Sequence, residues 1–457
     1  MGERDDQELV TRRRRSRGHV RRVDGLHDRS GRCAEELRVD RPRRLQLPVA
    51  SPEEARSEDE PRAGRGEVVT DTADASGLRT IGHSDLCGYG DGMQVSCVGD
   101  VLYVGHFGPT GMGTSVLDVS DPSAPVVVEQ WPSPTGTHTH KVQVGDGLLL
   151  VNQERFRGGD PYAAGMAVYS LADPLHPRQI GYFRSTGLGV HRIVWTGGDY
   201  AYVSAIPDGF DDRIWVIVDM RDPEQPREAG RWWWPGTWRG GGEHADVPEG
   251  KRYAAHHALV DGDRAYLGYG DAGMVILDIG DRTAPKEVSR LNWSPGGDTH
   301  TVMPLPGRGL AVVTDEVTYD GTAGEPHYVH VVDIGDERAP AVVGTCPVPE
   351  GDFATRGLRF GPHNLHENQP GSYRSEQVVF TTYFNAGLRV YDLADPANPV
   401  EIAHWVPATP AGQRAAQIND VFVTADLRIF VSDRVSGGVY VLAPDDELAA
   451  RLRTAAL

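Results

Sequence analysis

Histidine recurs at one position of a pattern that repeats along this chain. It opens the segments HKVQVGD, HRIVWTGGD, HHALVDGD, HTVMPLPG and HNLHE, at His140, His191, His256, His300 and His363. Neutral imidazole is a good ligand for iron, copper, zinc and nickel. If the copies surround a common axis, these five histidines predict a site for a divalent or transition metal ion (iron, copper, zinc or manganese). The alternative is structural, with each imidazole satisfying backbone groups of its own strand.

Other histidines stand close to this position. His138 lies two residues before His140, and residues two apart on a strand share a face. Of the pair His256 and His257 only one can face the axis, and the alignment favours His256. Since five imidazoles exceed what one ion needs, we expect His138 and His257 to contact a substrate or move protons.

Acidic and polar residues follow the second strand of several copies, on the face where the histidines begin. Glu154 and Glu316 each come directly after an apolar strand, and we predict that they act as catalytic bases or ligands. The remaining residues that we expect to contact substrate on this face are Tyr383, Asn385, Asn419, Asp433 and Arg434. For each of these residues taken singly, the alternative is a solvated loop.

Four tryptophans lie in a long connection between two copies, at Trp232, Trp233, Trp234 and Trp238. This connection is expected on the histidine side. Trp234 and Trp238 would then form an apolar lid over the substrate and exclude water. The alternative is packing between neighbouring copies.

The elements that must position these residues are short strands. Copies such as SVLDVSDPSAPVVVEQW (115–131) and LRVYDLADPANPVEIAHWV (388–406) alternate with period two and contain Asp-Pro-x-x-Pro, which is turn chemistry. Each copy is therefore predicted to form a small antiparallel sheet of four strands. Such a sheet cannot bury both faces alone, so neighbouring copies must stack.

A radial array of these sheets is a β-propeller, and the fold class predicted is all-β. We count seven blades over 76–445, while six or eight remain open. The last copy stops after its third strand, so the segment Leu78 to His83 is expected to supply its outer strand and close the ring. In this arrangement the first strand of each blade lines the central channel.

The apolar run ending in Asp, as in Val216-Ile217-Val218-Asp219 and Val275-Ile276-Leu277-Asp278, resembles the bacterial LVIVD-repeat family. The resemblance covers about Gly77 to Leu442. It implies a propeller fold and no particular chemistry, since many members are known only as predicted surface or scaffold proteins. The predicted arrangement, a propeller with axial histidines, is similar by architecture only to carotenoid-cleaving oxygenases with four-histidine iron and to propeller copper enzymes. Neither group shares these repeats.

The two ends of the chain differ from the repeats. Residues 1–75 carry an arginine run (Arg12 to Arg15) and little apolar periodicity, which predicts a disordered tail or a mis-assigned start. The apolar segment of an export signal is missing after the arginines, which favours a cytoplasmic protein. Residues 446–457 are expected to form a short tail. The oligomeric state has no signature in the sequence.

Net charge and missing motifs exclude several function classes. A formal charge of −19 opposes binding to nucleic acid or to anionic membranes, and no apolar run is long enough to span a bilayer. Phosphate loops and nucleophile elbows are absent, so no nucleotide cofactor is predicted. The sequence therefore favours a metal-dependent oxidoreductase, hydrolase or lyase acting on a small, aromatic or otherwise apolar organic molecule. The alternative is a non-enzymatic propeller scaffold that binds other proteins.

Overall fold

The computed structural model describes residues 72–108, 111–156, 164–293, 297–319 and 327–457. The chain divides into two units, Met1–Glu60 and Pro61–Leu457, and every described residue belongs to the second. The predicted tail therefore lies outside the described residues up to position 71. Within the described ranges, no helix has the length and hydropathy that crossing a membrane requires.

The second unit is built almost entirely of antiparallel strands. In chain order these begin with β1 (Thr72–Ser76), β2 (Leu78–Ser84), β3 (Gly92–Val98), β4 (Val101–His106), β5 (Met112–Asp118), β6 (Val126–Pro132), β7 (Thr137–His138), β8 (Val142–Gly145), β9 (Leu148–Arg155) and β10 (Gly165–Ser170). Next come β11 (Arg178–Arg184), β12 (Gly189–Val194), β13 (Tyr200–Ile206), β14 (Ile214–Asp219), β15 (Arg227–Trp232), β16 (His257–Asp261), β17 (Arg264–Gly268), β18 (Met274–Asp278) and β19 (Lys286–Leu291). The last are β20 (Thr299–Leu305), β21 (Leu310–Asp315), β22 (Val329–Asp333), β23 (Ala341–Thr345), β24 (Val378–Thr382), β25 (Leu388–Asp392), β26 (Val400–Pro407), β27 (Ile418–Val423), β28 (Ile429–Asp433) and β29 (Gly438–Pro444), followed by one helix, α1 (Asp446–Ala455).

The described strands form five sheets of four strands and one of nine. The four-stranded orders are β3-β4-β5-β6, β16-β17-β18-β19, β20-β21-β22-β23, β24-β25-β26-β1 and β27-β28-β29-β2. The nine-stranded sheet joins β8-β9-β10-β11 to β12-β13-β14-β15, and β7 also pairs with β9. A single residue pair, Gly189 with Glu154, makes that junction. The antiparallel four-stranded unit predicted from the repeats is therefore present.

Neighbouring sheets contact one another through their first strands, and the series returns to its start. Strand β3 contacts β8, β12 contacts β16, β16 contacts β20, and β27 contacts both β24 and β3. Between β27 and β3, the amide of Val95 donates to the Asp420 carboxylate at 3.0 Å. The unit is thus the propeller that the sequence predicts, with the first strands around its axis.

The same turn forms in six copies, four with Asp-Pro-x-x-Pro and two with Asp-x-x-x-Pro, at Asp281 and Asp336. The amide two residues after the aspartate donates to its carboxylate at 2.9–3.3 Å, in a side-chain turn at Asp121, Asp173, Asp222, Asp281, Asp336 and Asp395. The turn also contacts the fourth strand of the preceding copy. A Cβ added at Gly181 would lie 2.0 Å from the Pro223 carbonyl oxygen, so only glycine fits there.

The same contact shows how the ring closes. Gly82 of β2 occupies this position against the Pro122 carbonyl oxygen, which an added Cβ would also meet at 2.0 Å. Strand β2 is therefore the outer strand of the last sheet, pairing from Leu78 to Ser84 with β29. The predicted contribution of Leu78 to His83 is confirmed.

The described ends of this unit are more ordered than the sequence indicates. Residues 72–76, assigned mostly to the tail, form β1 and pair with β26 as a further outer strand. Residues 446–455, also assigned to a tail, form α1, which buries Leu448 and Leu452 against the last two sheets. The helix begins at an Asp445 N-cap, whose carboxylate accepts from the amide of Leu448. This helix lies beyond the last copy of the repeat, and so the repeat pattern did not indicate it.

His366 is buried between the sheets that contain β24 and β27. Its Nε2 donates to the Tyr373 carbonyl oxygen at 2.7 Å, and its Nδ1 accepts from the amide of Val423 at 3.2 Å. Burial lowers the pKa of His366 to about 4. A buried neutral histidine of this kind links stability to pH.

Stability should therefore fall as the pH drops from 6.5 towards 4, because the unfolded chain then binds a proton at His366 that the folded chain does not. The contribution is about 2–3 kcal/mol. Urea unfolding at pH 7.5 and pH 4.5 measures it, with His366→Gln compared against His176→Gln at an exposed site. We expect the first variant to lose about 2–3 kcal/mol less between the two pH values. Equal losses in both variants would contradict this assignment.

Candidate functional site

A backbone irregularity places the repeated histidines. The register of the first strand shifts by one residue in four sheets, at Met93, His191, His300 and Asn419. Such a bulge leaves one residue out of the ladder and re-aims its side chain. Met93, and not Gln94, is thus the residue in the first sheet that corresponds to the histidines. Gln94 instead accepts a hydrogen bond from the amide of Val142.

The five histidines form a continuous series around the axis. Ring centroids of successive members are 3.8–4.9 Å apart, in the order His140, His191, His256, His300 and His363. His138 lies against the first of them at 4.1 Å. The structure therefore brings together the residues that sequence spacing had predicted as ligands. We call these five residues the histidine series.

Burial keeps the histidine series uncharged. Burial, together with the positive charge of Arg213, lowers the pKa of His191 to about 3, although Glu154 acts in the opposite direction. The pKa of His140, His256, His300 and His363 is likewise held well below the ordinary value by burial. Each ring thus keeps one nitrogen lone pair at neutral pH, which is the form that binds metal ions.

Hydrogen bonds decide which nitrogen carries the lone pair in two of the rings. The Nδ1 of His363 lies 2.8 Å from the backbone oxygen of Asn419, and a carbonyl oxygen only accepts, so this nitrogen is protonated. The Nδ1 of His191 donates to Glu154 at 2.7 Å in the same way. In both rings the Nε2 therefore carries the lone pair, and it faces away from the acceptor of the Nδ1 hydrogen bond. The Nε2 of His191 lies 3.2 Å from Nε2 of His256.

Glu316 faces the other half of the histidine series. Its Oε1 lies 3.6 Å from Nε2 of His363, and its Oε2 lies 3.9 Å from Nε2 of His300. Arg359 donates to Oε1 at 2.8 Å and fixes the carboxylate. The His300 Nε2 is buried and has no hydrogen-bond partner among the described residues. Two nitrogens and a carboxylate thus converge without a direct hydrogen bond between them.

Glu154 is more tightly engaged. Its Oε2 accepts from Nε2 of His138 at 2.6 Å and from Nδ1 of His191 at 2.7 Å. Burial raises the pKa of Glu154, but these two histidines outweigh burial and hold the pKa well below its usual value. The carboxylate is therefore ionised and orients both rings.

Two groups of three side chains have the composition of a metal site. They are His256, His300 and Glu316, and His138, His140 and Glu154, and in each group the ligand atoms lie within 4.8 Å of one another. Both combine two imidazoles with one carboxylate, a set that non-haem iron enzymes use with coordination positions left open. The sequence had predicted every member of the first group.

A second layer of charged residues lies one position further along the first strands, deeper in the channel. His257, which the sequence placed among the substrate contacts, belongs to this layer, with its Nε2 3.1 Å from the Glu367 carboxylate. Arg192 donates to the same oxygen at 3.0 Å. Burial lowers the pKa of Lys141 well below its ordinary value, while burial raises that of Asp420 to about 7. This layer separates the histidine series from the opposite face.

A cavity of about 350 Å³ opens above the histidine series. Predicted residues in its wall are His138, His140, Glu154, His191, His256, Glu316, His363 and Arg434. The wall also contains residues that the sequence analysis missed: Met93, Phe107, Lys141, Arg213, Arg252, Thr318 and Arg359. Lys141 directly follows a predicted ligand. Arg213 follows Asp212 in the connection after the second strand of its copy, and the sequence predicts such connections on this face. Position within the repeat was therefore the signal that could have identified both residues.

Several predicted substrate contacts lie elsewhere. Tyr383 is buried in a hydrophobic cluster, and Asn385 donates to the backbone oxygens of Phe353 and Gly357. Asp433 accepts from backbone amides of its own turn, at Val435 and Ser436. Asn419 takes part only indirectly, since its backbone oxygen holds His363.

The two tryptophans do not form the predicted lid. Trp234 packs against Tyr253 and Tyr269 and carries the Arg290 guanidinium on its face. Trp238 stacks near Phe210. Trp234 thus packs against residues of the next copy, which is the packing alternative, whereas Trp238 is 40% exposed. The connection instead places Arg252 in the cavity wall.

Comparison with a family model matches three segments of the chain, residues 89–131, 189–232 and 254–292, to the LVIVD repeat. The chain contains LVIVD repeats. The three matched repeats coincide with the sheets that begin at β3, β12 and β16. No curated protein matches the chain significantly.

Solved structures similar to this LVIVD-repeat chain are distant in sequence. The WD40 β-propeller domain of Doa1 aligns with a TM-score of 0.50 at 10% identity, covering 83% of this chain and 99% of that one. This likeness shows the fold alone. The periplasmic gluconolactonase PpgL of Pseudomonas aeruginosa aligns with a TM-score of 0.48 at 14% identity, covering 74% and 93%.

Proposed function

We propose that this protein is a metal-dependent enzyme that acts on a small organic molecule in the cavity above the histidine series. The ion would be held by His256, His300 and Glu316. The observation that carries the proposal is the convergence of two uncharged imidazoles and a carboxylate within 4.8 Å of one another, where His256 and Glu316 also line the cavity.

Electrostatics favour an ion over a purely structural role for these side chains. A neutral His363 directs its Nε2 lone pair towards a carboxylate oxygen 3.6 Å away, and His300 leaves a buried nitrogen unpaired. A nitrogen lone pair and a carboxylate oxygen repel each other. A buried polar atom without a hydrogen-bond partner costs about 1–3 kcal/mol of folding free energy. A cation between these atoms removes both penalties. A structural brace would instead be expected to pair its nitrogens, as His366 does.

The metal would supply Lewis acidity or a redox centre, and iron, copper, zinc and manganese all suit this ligand set. The chain's own residues supply the rest. Glu154, held ionised by two histidines, would orient His138 and His191 beside a molecule in the cavity, and its lowered pKa makes it a hydrogen-bond acceptor and not a strong base. Arg359 holds Glu316 in the orientation that a ligand needs. Oxidoreductase and hydrolase or lyase chemistry share these requirements.

We also infer that the ring has seven blades. The nine-stranded sheet is held at its middle by the single pair of Gly189 and Glu154, and each half contributes its own member of the histidine series. Two blades in that sheet and five four-stranded sheets make up the count.

Elemental analysis of the purified protein tests the metal site. We expect about one ion per chain in the wild type and a loss of most of it in His256→Ala/His300→Ala. The matched control is His176→Ala/His244→Ala, which removes two exposed histidines and should keep the ion. Circular dichroism checks that the first variant is folded.

Two outcomes would overturn the proposal. One is a folded wild type that holds no ion after incubation with iron, copper, zinc and manganese salts. The other is equal metal content in the two double variants. Either would leave the histidine series as a brace and the protein as a scaffold propeller.

A further inference from the structure

The wall of the cavity is strongly basic, although the protein as a whole is acidic. Four of its described residues are arginines, namely Arg213, Arg252, Arg359 and Arg434, against two carboxylates, Glu154 and Glu316, while burial favours the neutral form of Lys141. The whole chain has a formal charge of −19. A basic cavity in an acidic protein concentrates anions at that place and repels them elsewhere.

Arg213 is the residue whose partners account least for its position. It is 6% exposed, and its Nε is buried without a hydrogen-bond partner among the described residues. The Asp212 carboxylate approaches no nearer than 4.0 Å. Both oxygens of Asp212 already accept from Arg252, at 2.7 and 2.8 Å. A buried guanidinium with an unused donor in a cavity wall indicates a binding site for an anion.

The neighbouring arginines are held in place before any ligand arrives. Arg359 uses one nitrogen for Glu316 and lies 5.6 Å from the Phe384 ring. The Arg434 guanidinium lies over the Phe107 ring at 4.8 Å. A guanidinium has five N–H donors, so the bond from Arg359 to Glu316 leaves Arg359 further donors for a ligand. Side chains that are fixed beforehand lose less entropy when they bind.

Part of the wall is apolar. Met93 and Phe107 line the cavity beside the arginines, and Phe107 is 37% exposed. An inorganic anion gains nothing from contact with an apolar surface, whereas the carbon skeleton of an organic acid would bury it from water.

We propose that the substrate of this site is a small organic anion, with a carboxylate or phosphate group held by Arg213 and its neighbours and its carbon skeleton against Met93 and Phe107. This inference rests on the proposed function and narrows its substrate class. It narrows the small, aromatic or otherwise apolar organic molecule that the sequence favoured to one that carries a negative charge.

Calorimetric titration with four small aromatic probes tests the inference. Benzoate and phenyl phosphate carry the anionic group, benzamide is a neutral analogue of benzoate, and benzylamine is a cation. We expect at least one anion to bind about tenfold or more tightly than benzamide, and benzylamine not to bind. Whichever anion binds better identifies the anionic group. Neutral benzamide binding as tightly as both anions, or no binding of either anion, would overturn the inference.

Variants locate the binding. Arg213→Gln should lower the affinity for the preferred anion about tenfold or more. Arg239→Gln, at an exposed arginine paired with Asp211, should leave that affinity unchanged. If Arg213→Gln does not fold, Arg434→Gln takes its place. Equal affinity in the cavity variant and in Arg239→Gln would place the anion elsewhere and contradict the site.

Each titration is run on chelator-treated and on metal-loaded protein. Anion binding by the metal-free protein supports the inference whether or not an ion is found by elemental analysis. Absence of anion binding in a protein that does hold its ion contradicts only this inference. The two proposals therefore fail separately.

Discussion

A chain that begins at Asp85 is expected to lose cooperative unfolding, or to become insoluble. The truncation removes β2, which pairs with β29 from Leu78 to Ser84 and is the only described strand covering that edge. It also removes Gly82 from its contact with the Pro122 turn, across which the last sheet meets the first. We expect a loss of at least about 5 kcal/mol, comparable with the whole stability of many domains. Urea and thermal unfolding measure it.

The control for this truncation is a chain that begins at Gly77. It lacks β1 but keeps β2. Residues 363–366 pair with the inner side of β24, where Leu365 bridges Thr381, so β1 is an additional outer strand of its sheet. We expect this control chain to unfold cooperatively with a smaller loss. A point variant gives an independent check, because Gly82→Ala places a Cβ 2.0 Å from the Pro122 carbonyl oxygen and should also destabilise the ring. An unchanged unfolding midpoint for the chain starting at Asp85 would show that β2 does not close the propeller.

Replacing Arg192 by leucine should cost about 3–5 kcal/mol, since it leaves the Glu367 carboxylate buried without its strongest partner. Arg192 is 1% exposed, and its Nη2 donates to Glu367 at 3.0 Å. His257 and Gln369 remain near that carboxylate, at 3.1 and 2.8 Å, but His257 is uncharged, because burial lowers its pKa to about 4. The free energy of unfolding in urea measures the cost.

A second substitution separates the buried charge from lost packing. In Arg192→Leu/Glu367→Gln no carboxylate is left uncompensated, and we expect recovery of more than half of the loss. The matched surface pair is Arg231 and Glu228, both about one-third exposed, and Arg231→Leu should cost less than about 1 kcal/mol. If Arg192→Leu costs no more than Arg231→Leu, the pair does not stabilise the channel.

The parts of the fold that were predictable are those fixed by residues close together in the chain. Asp121 makes the turn that Asp-Pro-x-x-Pro predicts, and so do its three counterparts with that motif, because the carboxylate accepts from an amide two residues on. The outer strand at Leu78 was predictable because the last copy lacked one. Helix α1 and strand β1 were missed, since they have no counterpart in the repeat.

For the candidate site, the sequence predicted which face of the propeller a residue lies on better than it predicted what its side chain contacts. It placed the histidine series, Glu154 and Glu316 on one face, and the structure brings them together there. It also assigned Tyr383, Asn385 and Asp433 to that face, yet their side chains turn into the protein to satisfy backbone groups or fill the core. A residue's position in a repeat fixes its height along the axis, whereas its rotamer depends on neighbours from other sheets.

The sequence by itself determined the repeat, the propeller and the imidazoles at the start of the first strands, because each depends on a local pattern copied along the chain. Only the tertiary structure decided what these imidazoles face. Glu316 and His363 are 47 positions apart in the numbering, and Asn419, which fixes the tautomer of His363, is a further 56 away. The basic wall formed by Arg213, Arg359 and Arg434 arises likewise from three different parts of the chain. Side chains from separate sheets meet only when the ring has closed, so their joint electrostatics have no signature in any local segment.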